Sequence, residues 1–251
     1  MELLSTIQSY LDEELKIKDI DDYCVNGLEV DGREEICKIA FMVDASEQGF
    51  QQAVSSQADM IIVHHGLVFG SITRITGMIY RRLKILIKHG ISLYAAHIPL
   101  DVHAELGNNI QLAQLLNLVN IEQFTVGKYK DLLVIGELQH SQSLDLFVST
   151  IKTRIHPNPR TLHFASDTVS KVAIISGSGS EAVELAALNG ADIFLTGESK
   201  LSAYHVAREA GINMVFAGHY FTETVGLKAL MKKLESLFNV NCEFIDIPTE
   251  L

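Results

Sequence analysis

The stretch Lys38-Ile39-Ala40 returns as Lys171-Val172-Ala173, and Ala58-Asp59 returns as Ala191-Asp192, both 133 residues later and with no gap in the span. Further on, Gly90-Ile91 through His97 is echoed by Gly211-Ile212 through His219 with one residue inserted. An internal repeat constrains the fold before any element is assigned, because both copies must build the same kind of unit. The flanks agree. Leu3, Leu4, Ile7, Leu11 and Leu15 lie at helical spacing and predict a helix over 2–17 ahead of the first copy, and a helix over about 142–155 precedes the second.

Within the first copy, strand and helix alternate. Residues 36–43 read as a strand, and Ser46-Glu47 as the cap and first turn of a helix reaching about residue 56. The run Met60-Ile61-Ile62-Val63 reads as a strand buried on both faces, closing at His64-His65 and bounded by Gly66. A helix over 78–89, a strand over 92–96 ending at His97, and a helix over 108–116 follow. The expected class is α/β: two similar lobes from an internal duplication, with layered mixed or parallel sheets and a cleft between them. The expected division is 1–125 and 126–251, with Gly127-Lys128-Tyr129-Lys130 as linker and exchange of elements between lobes left open.

At 251 residues the chain has ample capacity for two cores. No apolar run approaches the roughly 20 residues needed to span a bilayer, and Met1-Glu2-Leu3-Leu4 lacks a basic leader. Three cysteines, Cys24, Cys37 and Cys242, without CxxC spacing argue against a disulfide framework and a thiolate zinc site. A cytoplasmic protein with no membrane partner is expected. The formal net charge of −11 opposes a polyphosphate backbone, so nucleic acid is disfavoured. The basic cluster Arg81-Arg82-Lys84-Lys88 lies at helical spacing and reads as a solvated face.

The repeat also sorts the chemistry. Ligands in such sheets collect beyond the carboxyl ends of strands. His64 and His65 sit at one such end, and because neighbouring side chains of a strand diverge, they either serve two ions or one binds while the other packs. Their equivalents in the second copy are Gly197 and Glu198, and Glu198 is open to three roles: ligand, general base, or partner that orients a histidine. His97 and His219 each have a carboxylate four residues on, Asp101 and Glu223. One turn of helix from His219 would let His219 and Glu223 converge on one ion. Asp101, after Pro99, is expected on a loop, with His97 supporting the site and His103 a weaker candidate. His64, His65, Asp101, His219 and Glu223 thus form a nitrogen and oxygen set suited to two divalent ions of Zn, Fe, Mn or Ni, with one bridging-capable carboxylate from each copy. Two such ions would acidify a shared water and offset the negative charge formed as it attacks. The turn Ser176-Gly177-Ser178-Gly179-Ser180 lacks the Walker lysine, leaving a phosphate contact as an open question.

Ile-Val-His64-His65-Gly66, His97-Ile-Pro-Leu-Asp101 with Glu105-Leu-Gly-Asn-Asn109, Thr196-Gly197-Glu198, and Gly218-His219 followed by Glu223 resemble the motifs of the GTP cyclohydrolase 1 type 2 homologues, the Nif-three-like family. Asn26-Gly27-Leu28 and Phe244-Ile-Asp-Ile-Pro248 fit as well; the segment Asp22-Tyr23-Cys24-Val25 departs from the family's often Trp-containing pattern. The resemblance implies a duplicated α/β fold, a dinuclear metal centre facing a cavity, and a ring-shaped homohexamer. It also implies a metal-dependent hydrolase acting on a nucleotide or related small molecule, GTP being the substrate in the family's label. The competing expectations are a non-catalytic metal- and partner-binding protein, and a ring that binds single-stranded nucleic acid.

Overall fold

A computed structural model describes residues 1–72 and 74–249. The chain forms two compact units, Met1–Leu100 with Gly226–Ile247, and Asp101–Val225 with Pro248 and Thr249.

The first unit is built on a five-stranded sheet ordered Asn241–Phe244, Lys38–Asp44, Met60–His65, Ser92–Ala95, Gly27–Val30. The first four run parallel and Gly27–Val30 is antiparallel, with a bulge between Leu28 and Val30. Ala40, Met42, Ile61, Val63, Leu93 and Ala95 enter one apolar cluster with Phe50 and Leu86. Their alternates Ile39, Phe41, Val43, Met60, Ile62 and Tyr94 are buried too, so the sheet is covered on both faces, as its unbroken Ile and Val content demands. Among its helices, Glu47–Ser55 starts as expected, with Ser46 Oγ accepting the Gly49 amide at 3.1 Å.

The second unit carries a six-stranded sheet ordered Leu118–Val126, Tyr129–Ser143, Thr168–Ile175, Ile193–Thr196, Asn213–Phe216, Arg160–Leu162. Its three strands from Thr168–Ile175 to Asn213–Phe216 are parallel and the rest join antiparallel. Along Thr168–Ile175, Val172 and Ile174 feed one cluster while Ala173 and Ile175 feed the other. Both faces are therefore packed here as well.

The repeat survives in atomic detail. Ile39 faces Met60 in the first unit and Val172 faces Ile193 in the second, the same register 133 residues on. Asp59 Oδ2 accepts the amides of Cys37 and Lys38 at 2.8 and 2.9 Å, and Asp192 Oδ2 accepts those of Ser170 and Lys171 at 2.8 Å each. In both units an antiparallel strand lies beyond the last parallel one.

Two expectations are corrected. Gly127 to Lys130 is not a linker: Leu118–Val126 and Tyr129–Ser143 form one antiparallel hairpin with Val126 facing Tyr129 across a two-residue turn, where Gly127 takes a φ of 58°. The hairpin buries Leu118 on one strand and Leu132 to Ile135 on the other. Nor does the division fall at 125/126, because the hairpin pairs with Thr168–Ile175 while the late strand Asn241–Phe244 pairs with Lys38–Asp44. Asp101, expected on a loop, ends the short helix Ile98–Asp101. Pro99 is tolerated there because a first-turn residue has no intrahelical use for an amide hydrogen. No described helix is long and apolar enough to cross a membrane.

Candidate metal centre

In the first unit the carboxyl ends of three adjacent parallel strands supply the chemistry. Asp44 ends the Lys38–Asp44 strand, His64 and His65 end the next, and His97 follows the third. His64 is fully buried, and its Nδ1 lies 2.8 Å from the carbonyl oxygen of Ala96. A carbonyl can only accept, so Nδ1 carries the proton and Nε2 the lone pair. His65 Nδ1 donates to Asp44 Oδ1 at 2.8 Å and His97 Nδ1 to Asp22 Oδ2 at 2.9 Å. One ligand atom of each of the three rings lies within 4.8 Å of those of the other two. Oxygen acceptors on the far nitrogen are how proteins fix the tautomer and raise the basicity of metal-binding histidines.

Asp22 is itself held in place. Burial works to raise its pKa, but the His97 bond and charge, the Asn26 amide and the Cys24 amide overcome it and keep the carboxyl at about 2. Asn26 completes the arrangement by donating to Asp22 Oδ2 at 2.8 Å while its own Oδ1 accepts the His97 amide at 2.7 Å. Behind Gly66, Glu29 accepts the amides of Leu67 and Val68 at 2.8 and 2.9 Å, and burial pushes that carboxyl up.

In the second unit His219 opens the helix His219–Leu237 and Glu223 lies one turn on, with Nε2 to Oε1 at 3.1 Å. His219 Nδ1 stands 3.5 Å from Glu198 Oε2. Burial would lower the His219 pKa, yet the bond and charge of Glu223 and then of Glu198 outweigh it, pushing it up to about 9. Asp101 Oδ1 accepts from Asn108 Nδ2 at 2.8 Å and from Ser176 Oγ at 3.0 Å.

The Ser176 to Ser180 turn does not serve as a phosphate cradle through its first amides. Those of Ser176, Gly177 and Gly179 are committed to Asn109 Oδ1, Thr222 Oγ1 and Thr196 Oγ1. Gly177 is required where it stands: its φ is +56°, and a Cβ would overlap Glu223 Oε1 and come within 3.0 Å of His219 Nε2. At Gly197 a Cβ would lie 2.6 Å from the Gly177 carbonyl oxygen and 2.7 Å from His219 Cα.

By the repeat, Gly177, Gly197 and Glu198 are the equivalents of Asp44, His64 and His65. The first unit donates from its strand ends. The second clears two of those positions to glycine and donates from the helix that follows.

Of the residues singled out in the sequence, His64, His65 and His97 are brought together, His219 pairs with Glu223, and Glu198 faces His219. His103 caps a turn, its Nδ1 accepting the amides of Glu105 and Leu106 at 3.1 and 3.0 Å. Asp22 and Asp44 join the site without being among the residues that the sequence singles out. Asp44 had a signal, since it ends the strand paired with His65.

The donor set fits divalent metal: imidazoles with fixed tautomers, buried or half-buried carboxylates, and a glycine where a side chain would displace two donors. The fold and these donors define a duplicated α/β protein with candidate metal-binding groups. A match to Duf34/NIF3 (NGG1p interacting factor 3) spans residues 3–250, and the chain belongs to that family. It is 42% identical over 248 residues to a "GTP cyclohydrolase 1 type 2 homolog" of Pyrococcus abyssi (strain GE5 / Orsay), covering 98% of each chain. A protein of the same name from Archaeoglobus fulgidus is 40% identical over 250 residues, 99% of each. Among solved structures it resembles TTHA1606 from Thermus thermophilus, with a TM-score of 0.89 and 38% identity over 99% of this chain and 100% of that one. Reduced HcgD from Methanocaldococcus jannaschii matches with a TM-score of 0.86 and 29% identity over 98% of each.

Proposed function

We propose that the protein binds two divalent metal ions through His64, His65, Asp101, His219 and Glu223, and that it is a metal-dependent hydrolase of a nucleotide or related small molecule. One observation carries the metal half of this reading: His64, His65 and His97 each commit Nδ1 to an oxygen acceptor, and one ligand atom of each ring lies within 4.8 Å of those of the other two, the clustering that a shared ion requires. Divalent ions, when bound, supply a water of lowered pKa and positive charge to offset a developing oxyanion.

The chain's own residues do the positioning. The Ala96 carbonyl and Asp44 hold His64 and His65 in the ligating tautomer, and Asp22 does the same for His97. Glu198 steadies Nδ1 of His219, and its carboxylate, 39% exposed, is our choice to accept a proton from water. A homohexamer is part of the proposal by family resemblance, and light scattering of the purified chain tests it.

GTP, taken from the name of the relatives, heads the substrate panel. The full chain is stripped with chelator, resupplied with Mn, Fe, Zn or Ni, and assayed against nucleoside mono-, di- and triphosphates. Metal-dependent turnover that collapses in His65→Ala supports the hydrolase. A fully loaded protein that turns over nothing, with His219→Ala altering only stability, removes it and leaves a metal- and partner-binding protein.

A further inference from the structure

We propose that Phe69 and Tyr23 form a stacking subsite for a planar heteroaromatic ring, the base of the nucleotide, beside His65 and His97. The proposal rests on the nucleotide reading of the site and deepens it by assigning the base to residues of the first unit alone.

Phe69 lies four residues beyond His65. Its ring centroid stands 5.5 Å from that of His97, at 79°, and 6.4 Å from that of His65. Tyr23 continues the row, 6.2 Å from Phe69 at 44°. Both rings keep area in solvent, Phe69 being 38% and Tyr23 67% exposed. A single exposed apolar side chain is ordinary. Two adjoining rings that border a cluster of imidazoles make a continuous surface.

The backbone holds that surface in place. Cys24 and Phe69 face each other in an antiparallel bridge; the Val25 amide donates to the Val68 carbonyl at 2.9 Å and the Gly70 amide to the Tyr23 carbonyl at 2.7 Å. Glu29 accepts the amides of Leu67 and Val68 just ahead of Phe69. Gly70 has a φ of +77°, and a Cβ there would lie 2.9 Å from Tyr23 Cε2 and from its Oη, so the tyrosine ring rests on bare backbone. Tyr23 follows Asp22, the residue that accepts from His97 Nδ1, so the segment that orients His97 also presents the tyrosine. Aromatic rings held this way offer contact area with little conformational entropy left to lose on binding.

The neighbours select the occupant. An alkyl chain laid here would desolvate the bordering imidazoles without bonding them, and a sugar phosphate has no flat apolar face to stack. A heteroaromatic base has both: π faces for the two rings, and nitrogen or oxygen atoms along its edge for the imidazoles. Stacking tolerates any base, so the subsite distinguishes a base from none, and favours a purine over a pyrimidine by area.

The test titrates the full chain, metal-free and metal-loaded, into 2-aminopurine riboside, whose emission falls when its base is stacked; the chain has no tryptophan to obscure that signal. Wild type should quench the probe in both forms, with guanosine competing and ribose 5-phosphate not. Phe69→Leu and Tyr23→Leu keep apolar bulk and remove the ring, and each should weaken binding about five- to a hundredfold. Phe69→Trp should retain it, and Phe69→Leu should melt with wild type and hold as much metal. Absence of quenching in both forms overturns the proposal, as do leucine variants that bind like wild type, or competition by ribose 5-phosphate equal to that of guanosine. Ring-dependent quenching by a chain that hydrolyses no nucleotide supports the subsite while rejecting the hydrolase; metal-dependent turnover without quenching rejects the subsite and leaves the hydrolase standing.

Discussion

Asp44 and His65 are register partners on adjacent parallel strands, and Asp44 Oδ1 accepts a 2.8 Å hydrogen bond from His65 Nδ1. The sheet itself therefore delivers the acceptor to the ring: strand pairing places both residues at the carboxyl edge, and the bond fixes which nitrogen ligates.

Replacing Asp44 with alanine separates ligand tuning from folding. The Asp44 side chain is 45% exposed, so its loss should change stability by no more than about 0.5 kcal/mol. Metal affinity should fall about ten- to a hundredfold, because His65 loses the acceptor that fixes its tautomer. Chelator competition alongside urea denaturation measures both. A stability loss of several kcal/mol with unchanged affinity would show that Asp44 serves the fold alone.

Gly177→Ala should be far more damaging than Gly190→Ala, although both glycines have positive φ, +56° and +75°. Nothing lies within 4 Å of a Cβ at Gly190, so that variant should cost only the backbone strain, about 1–2 kcal/mol. At Gly177 the methyl group meets Glu223 and His219, adding about 1–3 kcal/mol of overpacking and abolishing tight metal binding. Equal denaturation midpoints for the two variants would contradict the close packing described here.

Asp22 predicts an acid-side signature. Its carboxyl is held at about 2, below its ordinary 3.8, so its contribution is present above pH 4 and is lost as the pH falls through 2. Metal-free Asp22→Asn should be less stable than wild type by about 2 kcal/mol near pH 6, and the two should converge toward pH 2. A difference that does not shrink on acidification would mean that packing, and not charge, is what Asp22 supplies.

The repeat was legible because the paired elements kept their spacing: Lys38-Ile39-Ala40 and Lys171-Val172-Ala173 are also strand equivalents, and Asp59 and Asp192 hold the same two amides. His64, His65, His219 and Glu223 were legible from their places at strand ends and one helical turn apart. The hairpin across Gly127 was not, because a glycine-lysine turn looks the same in sequence whether it joins two units or two strands of one sheet. Asp22 carries no sequence signal for a similar reason. Its bond to His97 spans 75 residues and depends on the irregular backbone between Asp22 and Asn26, for which no periodicity exists.

The most direct test of the account is the number of divalent ions the chain retains. Purified full-length protein, loaded with Mn, Fe, Zn or Ni and dialysed, should retain about two ions per chain by elemental analysis for its preferred metal, and His65→Ala and Glu223→Gln should each lower that number. Well-folded wild type that retains at most one ion with every metal offered would contradict the dinuclear centre.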